Sequence, residues 1–341
     1  MTTAPAPATG GPSPVADERP VSSGPRWAQT LPMMLGSGAL IALQSQVNGG
    51  LAHALGTGLR AVTLAALISF GSGLLVLTVF TLVHRPTGRG VVAMAVAVRR
   101  RRLPLWLVLG GLGGAFFVVS QGLAAGVLGI TFFVLCFVAG QAVMALLVDH
   151  FGWGPNGPTA LAPGRVVGAV LAVVAVGISG AGVLAVTPLT AALLLLAALP
   201  LVAGAVNSFQ QGVNGRLASR TGPWVTTWNN FFVGTLGLAL FLAVTFALPG
   251  DLHRLPSSPW LYAGGLCGVG FIWASTITVR VHGVLVVGVF AVAGQVLTAA
   301  VLALALSPTP PGPTTWLAVA VSLLGAVVVG LSGRRRSRPA R

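Results

Sequence analysis

Apolar residues along this chain fall into ten windows of about twenty, broken by short connections that carry most of the charge. A helix needs about 20 predominantly apolar residues to cross roughly 30 Å of hydrocarbon at about 1.5 Å per residue. The pattern therefore predicts ten membrane-spanning helices, over approximately residues 33–52, 61–83, 104–124, 128–148, 164–186, 190–213, 224–248, 258–279, 284–306 and 315–333. The expected fold class is all-α integral membrane.

Composition closes the main alternative. Of 341 residues, 55% are hydrophobic and 7% charged, too little polar surface to coat a water-soluble globule. Residues 1–29 begin with a run rich in Pro, Ala, Thr, Gly and Ser and read as a disordered cytoplasmic segment. That segment lacks the apolar core of a signal peptide, so the first span acts as its own insertion signal. Cys136 and Cys267 fall inside predicted spans and read as small apolar filler.

The net charge of +15 comes from arginine without any lysine, and a pI near 12 suggests nucleic acid at first sight. Topology explains it better. With ten alternating spans, seventeen arginines lie on the side of the termini and only Arg60 and Arg254 on the other. The positive-inside rule then puts both termini in the cytoplasm of a multi-pass plasma (inner) membrane protein, with residues 334–341 as a basic tail and no nucleic-acid partner. The run Arg99 to Arg102 reads as a topology determinant or, alternatively, as a contact for anionic lipid headgroups.

The chain also repeats itself. GGLGGAFFVV from Gly110, ending in AGQ at Gln141, aligns without gaps on GGLCGVGFIW from Gly264, ending in AGQ at Gln295, with about a third of positions identical. The segment from Gln44 through Asn48 matches that from Gln210 through Asn214. Residues 30–187 and 188–333 thus form two five-helix units, and because five is odd the second must enter the membrane from the opposite face. Arginine supports the inversion, since Gly50, Ala54 and Gly126 correspond to Arg216, Arg220 and Arg280.

The order of these signals, Q-x-x-x-N near the end of the first helix of each half, F-x-x-G in the next (Phe70 to Gly73; Phe231 to Gly234), then GG-x-x-G and AGQ, resembles the YdcZ-type inner-membrane exporters of the drug/metabolite transporter superfamily. The resemblance covers nearly all of the membrane region. It implies a ten-helix drug/metabolite transporter fold made by fusing two five-helix units, and an export role. Small multidrug resistance proteins of that superfamily rely on a membrane-embedded Glu. Here Asp17 and Glu18 precede the first span, Asp251 falls in a connection and Asp149 lies near a helix end, so proton antiport of that kind is not expected.

Amides deep in spans face the bundle interior or a wet cavity, because an unbonded amide in hydrocarbon is costly. Gln44 and Asn48 share a helix face, Gln210 and Asn214 repeat it, and Gln141 and Gln295 sit in the fourth and ninth spans. If the halves obey a pseudo-two-fold, these six converge on a central axis, where inverted-repeat transporters bind substrate. The candidate substrate-binding set is Gln44, Asn48, Gln141, Asn207, Gln210, Asn214, Trp273 and Gln295. Each amide has a second reading, as an interhelical tie. His53 and His282 read as solvated loop residues, and Gly110 with Gly114 and Gly264 with Gly268 as close-packing pairs.

Function follows as a transporter, exporting a small neutral or weakly polar organic solute by alternating access. No His, Asp, Glu or Cys cluster shares a depth, so neither an enzyme nor a bound metal or cofactor is expected. The alternative is a non-transporting accessory or lipid-interacting membrane subunit. The expected partners are the bilayer, a small-molecule solute and, as an open option, a second copy in a homodimer.

Overall fold

A computed structural model describes residues 27–128, 130–186, 190–306 and 312–334. The expected N-terminal segment and basic tail lie almost wholly outside the described residues. Among those residues the fold is all-α: α1 (Trp27–Leu55), α2 (Gly58–Val83), α3 (Arg85–Arg99), α4 (Gly111–Leu128), α5 (Ile130–Phe151), α6 (Pro163–Val186), α7 (Ala191–Thr221), α8 (Pro223–Thr245), α9 (Gly264–His282), α10 (Val284–Leu306) and α11 (Pro313–Arg334). Every apolar window coincides with one helix. The remaining helix, α3, forms where the sequence pattern predicts a connection, in the arginine-bearing stretch between the second and third apolar windows. It folds because Val91, Met94 and Val98 recur at helical spacing and pack on Leu103, Leu107, Val213 and Val225.

Among the described residues, six helical segments are, by length and composition, long and apolar enough to cross a membrane: Gly58–Val83, Phe133–Phe151, Pro223–Thr245, Pro259–His282, Val284–Leu302 and Pro313–Ser332. The surface agrees. Leu75, Val79, Leu82, Leu236, Leu240 and Val244 are all exposed along α2 and α8. Such apolar stripes are liabilities in water and cost nothing in hydrocarbon. The fold is that of a multi-pass membrane protein.

Helix contacts are reciprocal between the halves. α1 packs on α10 and α9, as α7 packs on α5 and α4; α2 meets α9 as α8 meets α4; α2 pairs with α8, and α6 with α11. Glycines make the same exchange at atomic level. A Cβ on Gly38 would strike the carbonyl of Ala291, and one on Gly204 the carbonyl of Phe137. Gly294 lies equally tight on Leu35, as Gly140 does on Leu201. Small residues at these crossings let backbones touch, which is how helices gain dispersion contact in lipid.

The two F-x-x-G motifs interlock. The Phe70 ring covers Gly234, the Phe231 ring covers Gly73, and the rings lie 5.1 Å apart between centroids. A large ring over a glycine on the opposing helix fills the space a side chain would occupy, so each motif is half of one joint.

Candidate functional site

Between α1, α2, α4, α5 and α10 lies a cavity of ≈ 890 Å³. Its lining includes Ala52, His53, Gly56 and Gly58 at the α1–α2 turn and Thr315 at the start of α11, so it reaches that end of the bundle. Most of the wall is apolar, from Ala61, Val62, Val118, Phe133, Val176 and Val296 among others. Polar groups are few: Ser45, Gln46, Asn48, Gln121, Gln295 and Thr315, with exposed His53 as its one titratable side chain. Gln121 Nε2 donates to Ser45 Oγ at 2.9 Å, tying α4 to α1 across the wall. Asn48 is buried and neither atom of its amide has a hydrogen-bond partner.

The structure does not bring the eight expected residues to one surface. Only Asn48 and Gln295 line this cavity. Gln44 and Asn48 pack against Gly268 and Gly264 of α9, and Gln210 and Asn214 pack against Gly114 of α4 and Gly110 just before it. The glycine pairs thus receive amide side chains from the opposite half. Gln210 Nε2 and Asn214 Nδ2 both donate to Asn230 Oδ1 at 2.9 Å, and Asn229 Nδ2 donates to the Val108 carbonyl at 2.8 Å. Asn207 is buried, and Trp273 rests on Trp224 with ring centroids 5.2 Å apart.

Gln141 lies elsewhere. It borders a void of ≈ 10 Å³, about one water, together with Val138, Ala142, Ala145, Ala172, Leu285, Gly288, Val289 and Val292. In the gapless repeat alignment, Gln141, Ala142 and Ala145 stand opposite Gln295, Val296 and Ala299 of the large cavity, and Leu285, Gly288 and Val289 lie in the stretch opposite its Phe133 and Val134. Equivalent surfaces of the two halves are therefore open on one side and collapsed on the other.

The collapsed end is held by an acidic side chain. Asp149, 7% exposed at the end of α5, pairs with Arg165 of α6. Its carboxylate also accepts from the first backbone N–H groups of α10, at 2.9 Å from Val284 and 3.1 Å from Leu285. These donors have no intrahelical acceptor, and a negative charge at a helix N-terminus is electrostatically favoured. The loop after α5 seals the joint, with Gly154 against Gly212 and Val284, and Pro155 against Gly215, which Val279 also meets. His282 is half-buried rather than solvated, its ring tilted against Trp27 with centroids 4.1 Å apart and its Nε2 hydrogen-bonded with Thr30 Oγ1 at 2.8 Å. It closes α9 against the start of α1.

Ser45, Gln46 and Gln121 were outside the expected set yet line the cavity. The segment Gln44 to Asn48 is polar at four of five positions, and without the helix phase its cavity face cannot be told from its packing face.

A family model described as "Putative inner membrane exporter, YdcZ" matches residues 30–178 and 195–329. No curated protein matches the chain. Several solved chains share the fold; one, a crystal structure, is 17% identical with a TM-score of 0.60, over 90% of this chain and 98% of its own length.

Proposed function

Because the chain belongs to the YdcZ family of inner-membrane exporters, we propose that it carries a small neutral or weakly polar organic solute by alternating access between two inverted five-helix repeats. In this reading the ten helices other than α3 cross the membrane, and both termini lie in the cytoplasm, in keeping with the arginine asymmetry. The observation that carries it is the unequal state of equivalent surfaces: ≈ 890 Å³ beside Gln295 against ≈ 10 Å³ beside Gln141. A pseudo-symmetric carrier caught facing one compartment has this form.

The cavity suits the proposed solute class. Its wall is apolar with convergent neutral donors and acceptors, the usual make-up of a small-molecule site. An ionic solute would find no opposite charge in the span-depth part of that lining to offset its desolvation. Asn48 and Gln295 contact the solute in this state with Ser45 and Gln121 beside them, and Gln141 takes the place of Gln295 when the other end opens. Gln44, Asn207, Gln210, Asn214 and Trp273 lie behind that surface and hold helices together. A non-transporting accessory subunit has no use for so large a cavity lined by amides.

The test is uptake and efflux in proteoliposomes of reconstituted protein, using neutral solutes found by thermal-shift screening. Transport should saturate and should fall at least tenfold in both Gln295→Leu and Gln141→Leu with unchanged melting temperature. Transport unaffected by either substitution would remove both glutamines from the site.

A further inference from the structure

The arginines of α3 are not all spent on topology. Helical geometry lines up Arg85, Arg89, Val92, Val96 and Arg99 within one stripe, at successive steps of four, three, four and three residues, and all five are exposed. The opposite face, with Thr87 and Met94, is buried against the bundle, and Gly90 lets α8 approach through Val225. Two valines on a solvent face flanked by arginines make little sense in water. They fit the boundary between acyl chains and headgroups, where valine enters the apolar side and arginine extends to the phosphates.

Charge complementarity names the headgroup. Arg100, Arg101 and Arg102 follow as exposed residues, with Arg101 at a left-handed φ of 55° in the turn that ends the helix. No acidic residue occurs between Glu18 and Asp149, so none in that stretch neutralises them. Among the described residues the one salt bridge is Asp149 with Arg165. Exposed Leu82, Val83, Leu105 and Trp106 extend the apolar margin on either side of α3. The second half has no equivalent helix: its connection from α8 to α9 carries Asp251 and Arg254 in extended chain and turns.

We propose that α3 and the turn after it form a binding surface for anionic phospholipid, with arginines on the phosphodiesters of several headgroups and Val92 and Val96 at the acyl boundary. The source of the phosphate is lipid, because a soluble anion gains nothing from the valines. The surface is independent of what the central cavity carries.

The test uses full-length protein in nanodiscs of phosphatidylcholine mixed with phosphatidylglycerol, reading the lipid that stays bound after transfer to detergent by native mass spectrometry. Wild type should retain phosphatidylglycerol severalfold above its share in the disc. The triple variant R85Q/R89Q/R99Q should lose that enrichment, its bound phosphatidylglycerol falling to about its share in the disc, whereas R254Q on the connection between α8 and α9 should keep it. R85K/R89K/R99K, which preserves charge, should restore most of it. No enrichment in wild type, or full enrichment in the Gln variant, overturns the proposal. Displacement of the bound lipid by millimolar inorganic phosphate also overturns it, in favour of a soluble anion site.

Discussion

Replacing Asp149 tests what closes one end of the molecule. Asp149→Asn removes the charge that faces Arg165 and weakens acceptance from the α10 N–H groups of Val284 and Leu285. The Arg165 side chain is 11% exposed, so its cation is left buried without a partner. Breaking one side of a buried pair costs about 3–5 kcal/mol. Asparagine still offers one oxygen to the helix N-terminus, so the lower end applies. If the pair exists only while that end is closed, about 3 kcal/mol shifts the population towards its opening by roughly a hundredfold. The readout is labelling by a membrane-impermeant maleimide, in a background without Cys136 and Cys267. Ala145→Cys, in the collapsed region and 1% exposed, should be nearly inert in the parent and gain reactivity at least tenfold with Asp149→Asn. Ala299→Cys, its repeat counterpart in the open cavity, should start reactive and lose reactivity. A lower melting temperature with both positions unchanged would make the pair a structural tie and refute the gating argument.

Other expectations follow from packing. Gly38→Ala drives a methyl into the Ala291 carbonyl where two backbones touch, so it should cost at least 1–3 kcal/mol of stability, read as a lower melting temperature in detergent. Gly36→Ala, on the same helix with nothing within 4 Å, should be neutral or slightly stabilising in the same assay. A double-mutant cycle of Phe70→Leu and Phe231→Leu should show coupling of about 0.5–1.5 kcal/mol, because each ring also covers the glycine of the other's motif.

Much of the fold was legible because lipid leaves few choices. Apolar windows locate the helices, and the conserved spacing between Gly110 to Gln141 and Gly264 to Gln295 shows the repeat without any coordinates. The meaning of the motifs was not legible. Q-x-x-x-N looks like a ligand face, but its partner is the GG-x-x-G of the other half, and that pairing appears only when Asn48 meets Gly264 and Asn214 meets Gly110. Helices that are apolar nearly all round carry no phase signal, so Ser45 could not be told from Gln44 as the cavity residue. The helix α3 was hidden by its arginines, which interrupt the apolar count while leaving the helical spacing of Val91, Met94 and Val98 intact. The apolar pattern puts Asp149 at a helix end, whereas its role at the N-terminus of α10 depends on a contact across 135 residues of chain.

In the proposed cycle the cavity beside Gln295 and the collapsed region beside Gln141 exchange states. Double electron–electron resonance on spin labels at His53 and Thr315, at the open end, and at Asn156 and Arg220, at the closed end, measures both ends in one protein. Opposed changes are expected, the first distance shortening and the second lengthening when Asp149→Asn is introduced. Two fixed distances, or two that lengthen together, would contradict it.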